Sequence, residues 1–229
     1  LIPELHDLKI LLGDSFPNIF LILGNDDGRV NEVKVIEGEG ARLWHYIHNK
    51  KVEYKGFNIF GYAYVPPTPF LLKDWERYDV SRYVDPGCIS PEDGWRTVQT
   101  PEMDNEIAHA TMKEDLKKLT ASEDMDEAIF LFHSPPYQTN LDRANLDEKI
   151  VDDVQVDVHV GSIAIKRFIE QRQPFLTLHG HVHESARITG AWKERIGKTT
   201  CLSAAHDGPE LALVQFDLDA PEQAIRVLL

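Results

Sequence analysis

Three polar clusters in this chain carry side chains that bind divalent cations: Asn25-Asp26-Asp27, the single His133, and His181-Val182-His183. Imidazole, amide oxygen and carboxylate together form a hard-to-borderline donor set suited to Zn, Mn or Fe. His181 and His183 are one residue apart. On an extended segment they point to the same side, close enough to bind one ion or two adjacent ones. Gly180 lets the backbone approach such ions without a Cβ in the way. Taken singly, each cluster has an ordinary reading. Asn-Asp-Asp-Gly is a common turn sequence, His133 before Ser-Pro-Pro suits a hydrogen-bonded loop histidine, and one His-x-His pair is a weak signal. Their shared position argues for a metal site, because each follows an apolar run.

Those runs are Ile19 to Leu23, Ala128 to Phe132 and Phe175 to Leu178. Uninterrupted apolar stretches of this length suit strands buried on both faces. In open α/β sheets, ligands collect beyond the carboxyl ends of the strands. The spacing predicts a short helix and turn over residues 1–18, a strand over 57–65 and an amphipathic helix over 104–119 with Asp104 as N-cap. A second helix starts at Ser162, facing the core with Ile165, Phe168 and Ile169 and ending at Pro174. Residues 41–49 fit either a helix or a strand. Strands over 199–203, 211–218 and 224–229 complete an α/β alternation.

Residues 66–101 break the pattern. This tract is rich in Pro, Gly and aromatics, and a loop of that length is usually functional or disordered; its aromatic content argues for order. It carries Lys73, Arg77 and Arg82 beside Trp75, Tyr78 and Tyr83. Arginine forks suit phosphate oxygens and aromatic faces suit nucleobases, so one reading is a lid that selects substrate. The other is a structural loop whose cations pair with Asp74, Asp79 and Asp85.

The bulk properties set limits. The chain has 229 residues, 42% hydrophobic and 27% charged, as expected of one globular domain spanning 1–229. Its net charge of −14 disfavours extended contact with nucleic acid or anionic lipid. A small anionic substrate stays compatible, because a bound cation dominates its local field. Cys88 and Cys201 are too few for a disulfide framework, no stretch is long and apolar enough to span a membrane, and no signal peptide is visible, so a cytoplasmic location is expected. Oligomeric state is not legible.

With these residues in view, the chain resembles the calcineurin-like metallophosphoesterases, in a prokaryotic branch, over residues 15–218. Leu23-Gly24-Asn25-Asp26-Asp27 is similar to that family's Gly-Asn-His-Asp/Glu motif, His133 in FHSPPY to its isolated histidine, and Gly180-His181-Val182-His183 to its Gly-His-x-His motif. The resemblance implies two facing mixed β-sheets flanked by helices, a four-layer sandwich with a binuclear site at one end. It implies that Asn25, His133 and His181 bind one divalent ion and His183 a second, the two about 3.5–4 Å apart. The implied activity is hydrolysis of a small phosphomonoester or phosphodiester by a metal-bound hydroxide. Asp26 stands where the family has a histidine that contacts phosphate or protonates the leaving group. An aspartate near cations is held ionised, so Asp26 would orient water, bind metal, or face a leaving group that needs no acid. Asp27 would hold a neighbouring histidine.

The family's Asp-x-His and Gly-Asp motifs have no good match. Gly13-Asp14 lies too near Asn25 and does not end an apolar strand. The chain begins at Leu1 rather than Met, and the expectation is that the missing ligands and the first strands lie in a segment upstream. His179 alternates with His181, giving it either a place around the metals and substrate or a packed strand position. His206 would reach the site rim. His159 precedes a helix and would either cap it or line the site, the cap being the favoured reading, and His6, His45, His48 and His109 suit surface or core. Two competing classes remain. One is a degenerate family member of the retromer type, acting as a protein-binding scaffold. The other, a metallo-β-lactamase-like zinc site, requires Asp two residues after the second histidine, where Ser185 stands.

Overall fold

Side chains of the Ala128–Phe132 run alternate between two faces, as a strand demands. Phe130 and Phe132 point into one apolar cluster and Ile129 into another. The computed structural model, which describes residues 1–229, builds a mixed α/β fold on this strand. In chain order the elements are α1 (Ile2–Leu12), β1 (Phe20–Leu21), α2 (Glu32–Gly40), β2 (His45–Tyr46), β3 (Lys50–Tyr54), β4 (Phe57–Tyr62), α3 (Pro101–His109), α4 (Met112–Thr120), β5 (Ala128–Phe132), β6 (Ile150–Val151), β7 (Val154–Gln155), α5 (Ile163–Arg172), β8 (Leu176–His179), α6 (Ser185–Thr189), β9 (Lys193–Ile196), β10 (Thr199–Ser203), β11 (Ala212–Gln215) and β12 (Ile225–Leu228).

Six strands form the main sheet in the order β3-β4-β5-β8-β10-β9. The inner four are parallel and the two edges antiparallel. The carboxyl ends of β5 and β8 therefore open on the same side. Phe60 stands opposite Phe130 in register, their rings stacked at 4.7 Å. Met112 and Leu116 of α4 and Ile165, Phe168 and Ile169 of α5 cover this face. On the opposite face, Ile129, Leu176 and Leu202 meet Val214 and Phe216 from the segment around β11, which forms a two-stranded ribbon with β12. No helix is long and apolar enough to cross a membrane.

Two expectations change, an open one is settled and two strands are added. The run 19–23 is only half-buried up to Leu23, because β1 pairs with the two-residue β2 and lies outside the main sheet. The segment 104–119 is two helices. Thr100 and Thr111 cap them by accepting the amides of Met103 and Glu114, and Ala110 is extended between them. The break is held from outside, since the Met112 and Lys113 amides bond Tyr78 and Asp79 carbonyls. Residues 41–49 contribute the short β2. The edge strands β3 and β9, rich in Lys and Glu, had no apolar run to mark them.

Residues 66–100 contain no helix or regular strand, yet they are packed. Trp75 is fully buried and donates its indole N–H to the Asp27 carbonyl. Asp79 holds the start of α5, accepting from Ser162 Oγ and the amides of Ile163 and Ala164.

Candidate metal centre

The carboxyl ends of β1, β5 and β8 bring three donors into contact. Asn25 Oδ1 lies 2.8 Å from His133 Nε2 and 2.8 Å from His181 Nδ1. The two rings are 5.2 Å apart and inclined at 61°. Sheet geometry sets this arrangement. The His133 amide bonds Tyr62 of β4, and the His133 carbonyl accepts the Gly180 amide at the end of β8. A Cβ on Gly24 would stand 2.6 Å from the His133 ring, so glycine lets this ring sit against the backbone.

His181 is held in strain. Its φ is +69°, and the Val182 amide bonds the Gly180 carbonyl at 2.9 Å, closing a γ-turn on His181. Such a backbone costs about 1–3 kcal/mol and persists only where the surroundings impose it. The expected extended His-x-His geometry is therefore replaced by a turn. His181 folds inward to Asn25, while His183 stays exposed at the edge, near enough for its charge to act on both other histidines.

Both inner imidazoles are neutral at pH 7. Desolvation pushes His181 down to about 3, helped by its histidine neighbours. Desolvation also lowers His133 to about 4, against the raising effect of Asp26 and Asp27. Neutral imidazole is the form that ligates metal. Separations of 2.8 Å are close to the edge between adjacent donors of an octahedral ion, about 3 Å for bonds of ~2.1 Å. Asn25, His133 and His181 thus fit as three donors to one divalent ion. No three His, Cys, Asp or Glu side chains are grouped to hold an ion; the inner set is two imidazoles and an amide, and a second ion would have His183 as its donor.

Other expected residues fall in different places. Asp26 is exposed beside the cluster and accepts from Asn25 Nδ2 at 3.3 Å, which turns Oδ1 of that amide toward the imidazoles. Asp27 does not hold a histidine. Its carboxylate accepts the Gly24 amide at 2.8 Å and closes its own turn. His179 is the packed strand histidine, with Nδ1 bonded to the Ser134 carbonyl, Nε2 to Thr177 Oγ1 and its ring stacked on Phe132. His206 does not line the site; it pairs with Glu210 Oε2 at 2.9 Å. Asp14 is exposed in a 3₁₀ turn away from the cluster.

A cavity of about 420 Å³ opens beside Asn25, His181 and His183. One wall is the 66–101 tract, but the basic residues of that tract do not serve it. Lys73 Nζ is buried against Glu76 at 2.6 Å and the Thr68 carbonyl at 2.9 Å. Arg77 is buried between Asp115 and Glu106, and Arg82 pairs with Glu92. These cations are structural, with partners other than the expected Asp74, Asp79 and Asp85. Apart from His159, for which lining the site is one of two readings, the rest of the wall went unseen in the sequence. Buried Asp142 organises it, accepting the amides of Gln138, Thr139 and Gly161 and bonding His159 Nδ1 at 2.7 Å. His159 lines the cavity as a result. No motif marks Asp142; only its set of partners identifies it.

No family model matches the chain, and no curated protein matches it. Solved structures do. One crystal structure aligns over 99% of this chain and 72% of its own, at 18% identity and a TM-score of 0.57. The crystal structure of TT1561 of Thermus thermophilus aligns over 99% of this chain and 79% of its own, at 16% identity and a TM-score of 0.50. At these identities the likeness is one of fold alone.

Proposed function

We propose that this chain is a metal-dependent phosphoesterase acting on a small phosphomonoester or phosphodiester. The observation that carries the reading is the convergence of Asn25 Oδ1 on His133 Nε2 and His181 Nδ1, from strand ends up to 156 residues apart in sequence. The β11–β12 ribbon over the second face of the main sheet is in keeping with a four-layer architecture of two facing sheets. Asn25, His133 and His181 would hold one divalent ion (Mn, Fe or Zn), and His183 would contribute to a second. When bound, such ions lower the pKa of water and offset charge on phosphoryl oxygens. The chain's own residues do the rest. Desolvation keeps both inner imidazoles unprotonated and ready to ligate. Asp26 orients the Asn25 amide. The strained turn at His181 aims one imidazole inward and leaves His183 at the cavity mouth, where a phosphoryl group would enter.

The test is metal uptake with turnover. Chelator-treated protein should regain Mn²⁺ in calorimetric titration and hydrolyse bis-p-nitrophenyl phosphate. A saturating ion at 100 times its Kd should add about 2.7 kcal/mol of stability, which raises the Tm by about 5–10 °C for a chain of this size. Asn25→Ala and His133→Ala should each abolish the uptake. Protein that takes up no Mn, Fe or Zn and turns over no ester would favour the scaffold reading instead.

A further inference from the structure

Resting on the phosphoesterase reading, we infer that the cavity beside His181 and His183 takes the organic group of the substrate, and that this group is apolar and cationic: an amine- or ammonium-bearing alcohol or phenol esterified to phosphate, preferred over one with a second anion. The volume of about 420 Å³ is that of a small-molecule site rather than a groove for a polymer. Its walls are largely apolar, with Val80, Leu146, Val151 and Val160 among them. Phe70 and Tyr83 also line it and remain 60% and 69% exposed, so aromatic surface is free at the rim.

Charge decides the class. The lining contains five carboxylates (Asp26, Asp79, Asp85, Asp157 and Glu184) and one ammonium, Lys149. Three of the five are already engaged. Asp79 holds the start of α5, Glu184 accepts the Asn145 amide, and Asp157 accepts from the Tyr137 hydroxyl and the His159 amide. Asp85 has no such partner. Desolvation, and next the neighbouring Asp157 charge, raise its pKa. A ligand cation there would relieve both effects, and aromatic faces at the rim would add to its binding. A second phosphate or carboxylate on the substrate would meet this excess of like charge with only Lys149 to offset it, since Lys73, Arg77 and Arg82 are paired with Glu76, Asp115 and Glu92.

The experiment has a metal-free arm and a catalytic arm. In calorimetry on chelator-treated protein, benzyltrimethylammonium should bind at least about tenfold more tightly than phenylacetate. Asp85→Lys, checked by melting to be folded, should remove that preference. With Mn²⁺, p-nitrophenyl phosphocholine should be hydrolysed with a kcat/KM at least about tenfold above that of a matched p-nitrophenyl diester bearing a carboxyethyl group. Asp85→Lys should erase this ratio too. Equal binding of the two probes, or preference for phenylacetate, would overturn the inference. Ammonium binding that depends on Asp85, with no ester hydrolysed, would uphold the cation preference and sink the phosphoesterase reading. Hydrolysis without discrimination would do the reverse.

Discussion

Gly24 shows how tightly a single position constrains the centre. The space a methyl would need is filled by His133, with Cε1 at 2.6 Å and Nε2 at 2.8 Å. Gly24→Ala should therefore displace the ring, which is a movable side chain at the end of β5. Overpacking of this kind costs about 1–3 kcal/mol. Mn²⁺ affinity should fall by about 10–100-fold, as when a group supporting a metal ligand is lost. Calorimetric titration beside a thermal melt separates the two effects, and unchanged affinity in a folded Gly24→Ala protein would show that His133 does not bind the ion. The donor types at this scale were legible: Asn25, His133 and His181 do meet. The aim of each donor was not. An extended His-x-His puts both rings on one side, whereas the γ-turn at His181 sends them apart. Asp27, placed by motif against a histidine, serves its own turn by accepting the Gly24 amide.

Among the elements, tract 66–101 departs most from its compositional reading. Lys73, Arg77 and Arg82 have the chemistry of phosphate ligands, yet Lys73 and Arg77 lie inside the protein and the exposed Arg82 pairs with Glu92. Arg77 is buried against Tyr64 and bridges Asp115 at 2.7 Å, while Asp115 also accepts the Tyr62 hydroxyl. Arg77→Leu should destabilise the protein by about 3–5 kcal/mol, because it strands a buried carboxylate. Denaturant unfolding reads the loss. For protein that remains folded, KM for bis-p-nitrophenyl phosphate should stay within about twofold of wild type, since Arg77 touches no part of the cavity. A large rise in KM at unchanged stability would restore the lid reading. The helix over 104–119 illustrates the same limit. Its apolar periodicity was visible, but the break at Ala110 depends on Tyr78 and Asp79 carbonyls from this tract, which no local pattern reports.

At the scale of the whole molecule, burial of neutral histidine makes stability depend on acid. His48 lies outside the Asn25–His133–His181 cluster, with Nδ1 accepting the Ala63 amide at 3.1 Å and its ring edge-on to Tyr64 and Trp75. Desolvation, then the nearby Arg29 and Arg77, lowers its pKa from 6.5 to about 3. The unfolded chain therefore binds a proton near pH 6.5 that the folded protein refuses until about pH 3. The sign is definite: this contribution is complete above pH 6.5 and is lost progressively as pH falls toward 3. Within that window His48 should add about 1.4 kcal/mol per pH unit to the slope of unfolding free energy. His48→Asn keeps an acceptor for Ala63 and removes the titration. Its unfolding free energy, measured between about pH 5.5 and pH 4, should fall less steeply than wild type by that amount. Parallel slopes would show that His48 is protonated in the folded state.

By itself the sequence determined the α/β class, the strands β4, β5, β8 and β10, the Ser162 cap of α5 and the meeting of Asn25 with His133 and His181. The strands and the cap are written locally, as an apolar run with a polar stop or a capping residue before a periodic stretch, and the meeting in the polar clusters that follow three such runs. Only the tertiary structure decided that the run at 19–23 stands outside the main sheet, that His179 and His206 are tied up elsewhere, and that Lys73 and Arg77 are interior. The reason is physical. A side chain's role depends on which partner reaches it first, and those partners come from distant segments whose meeting no spacing along the chain encodes.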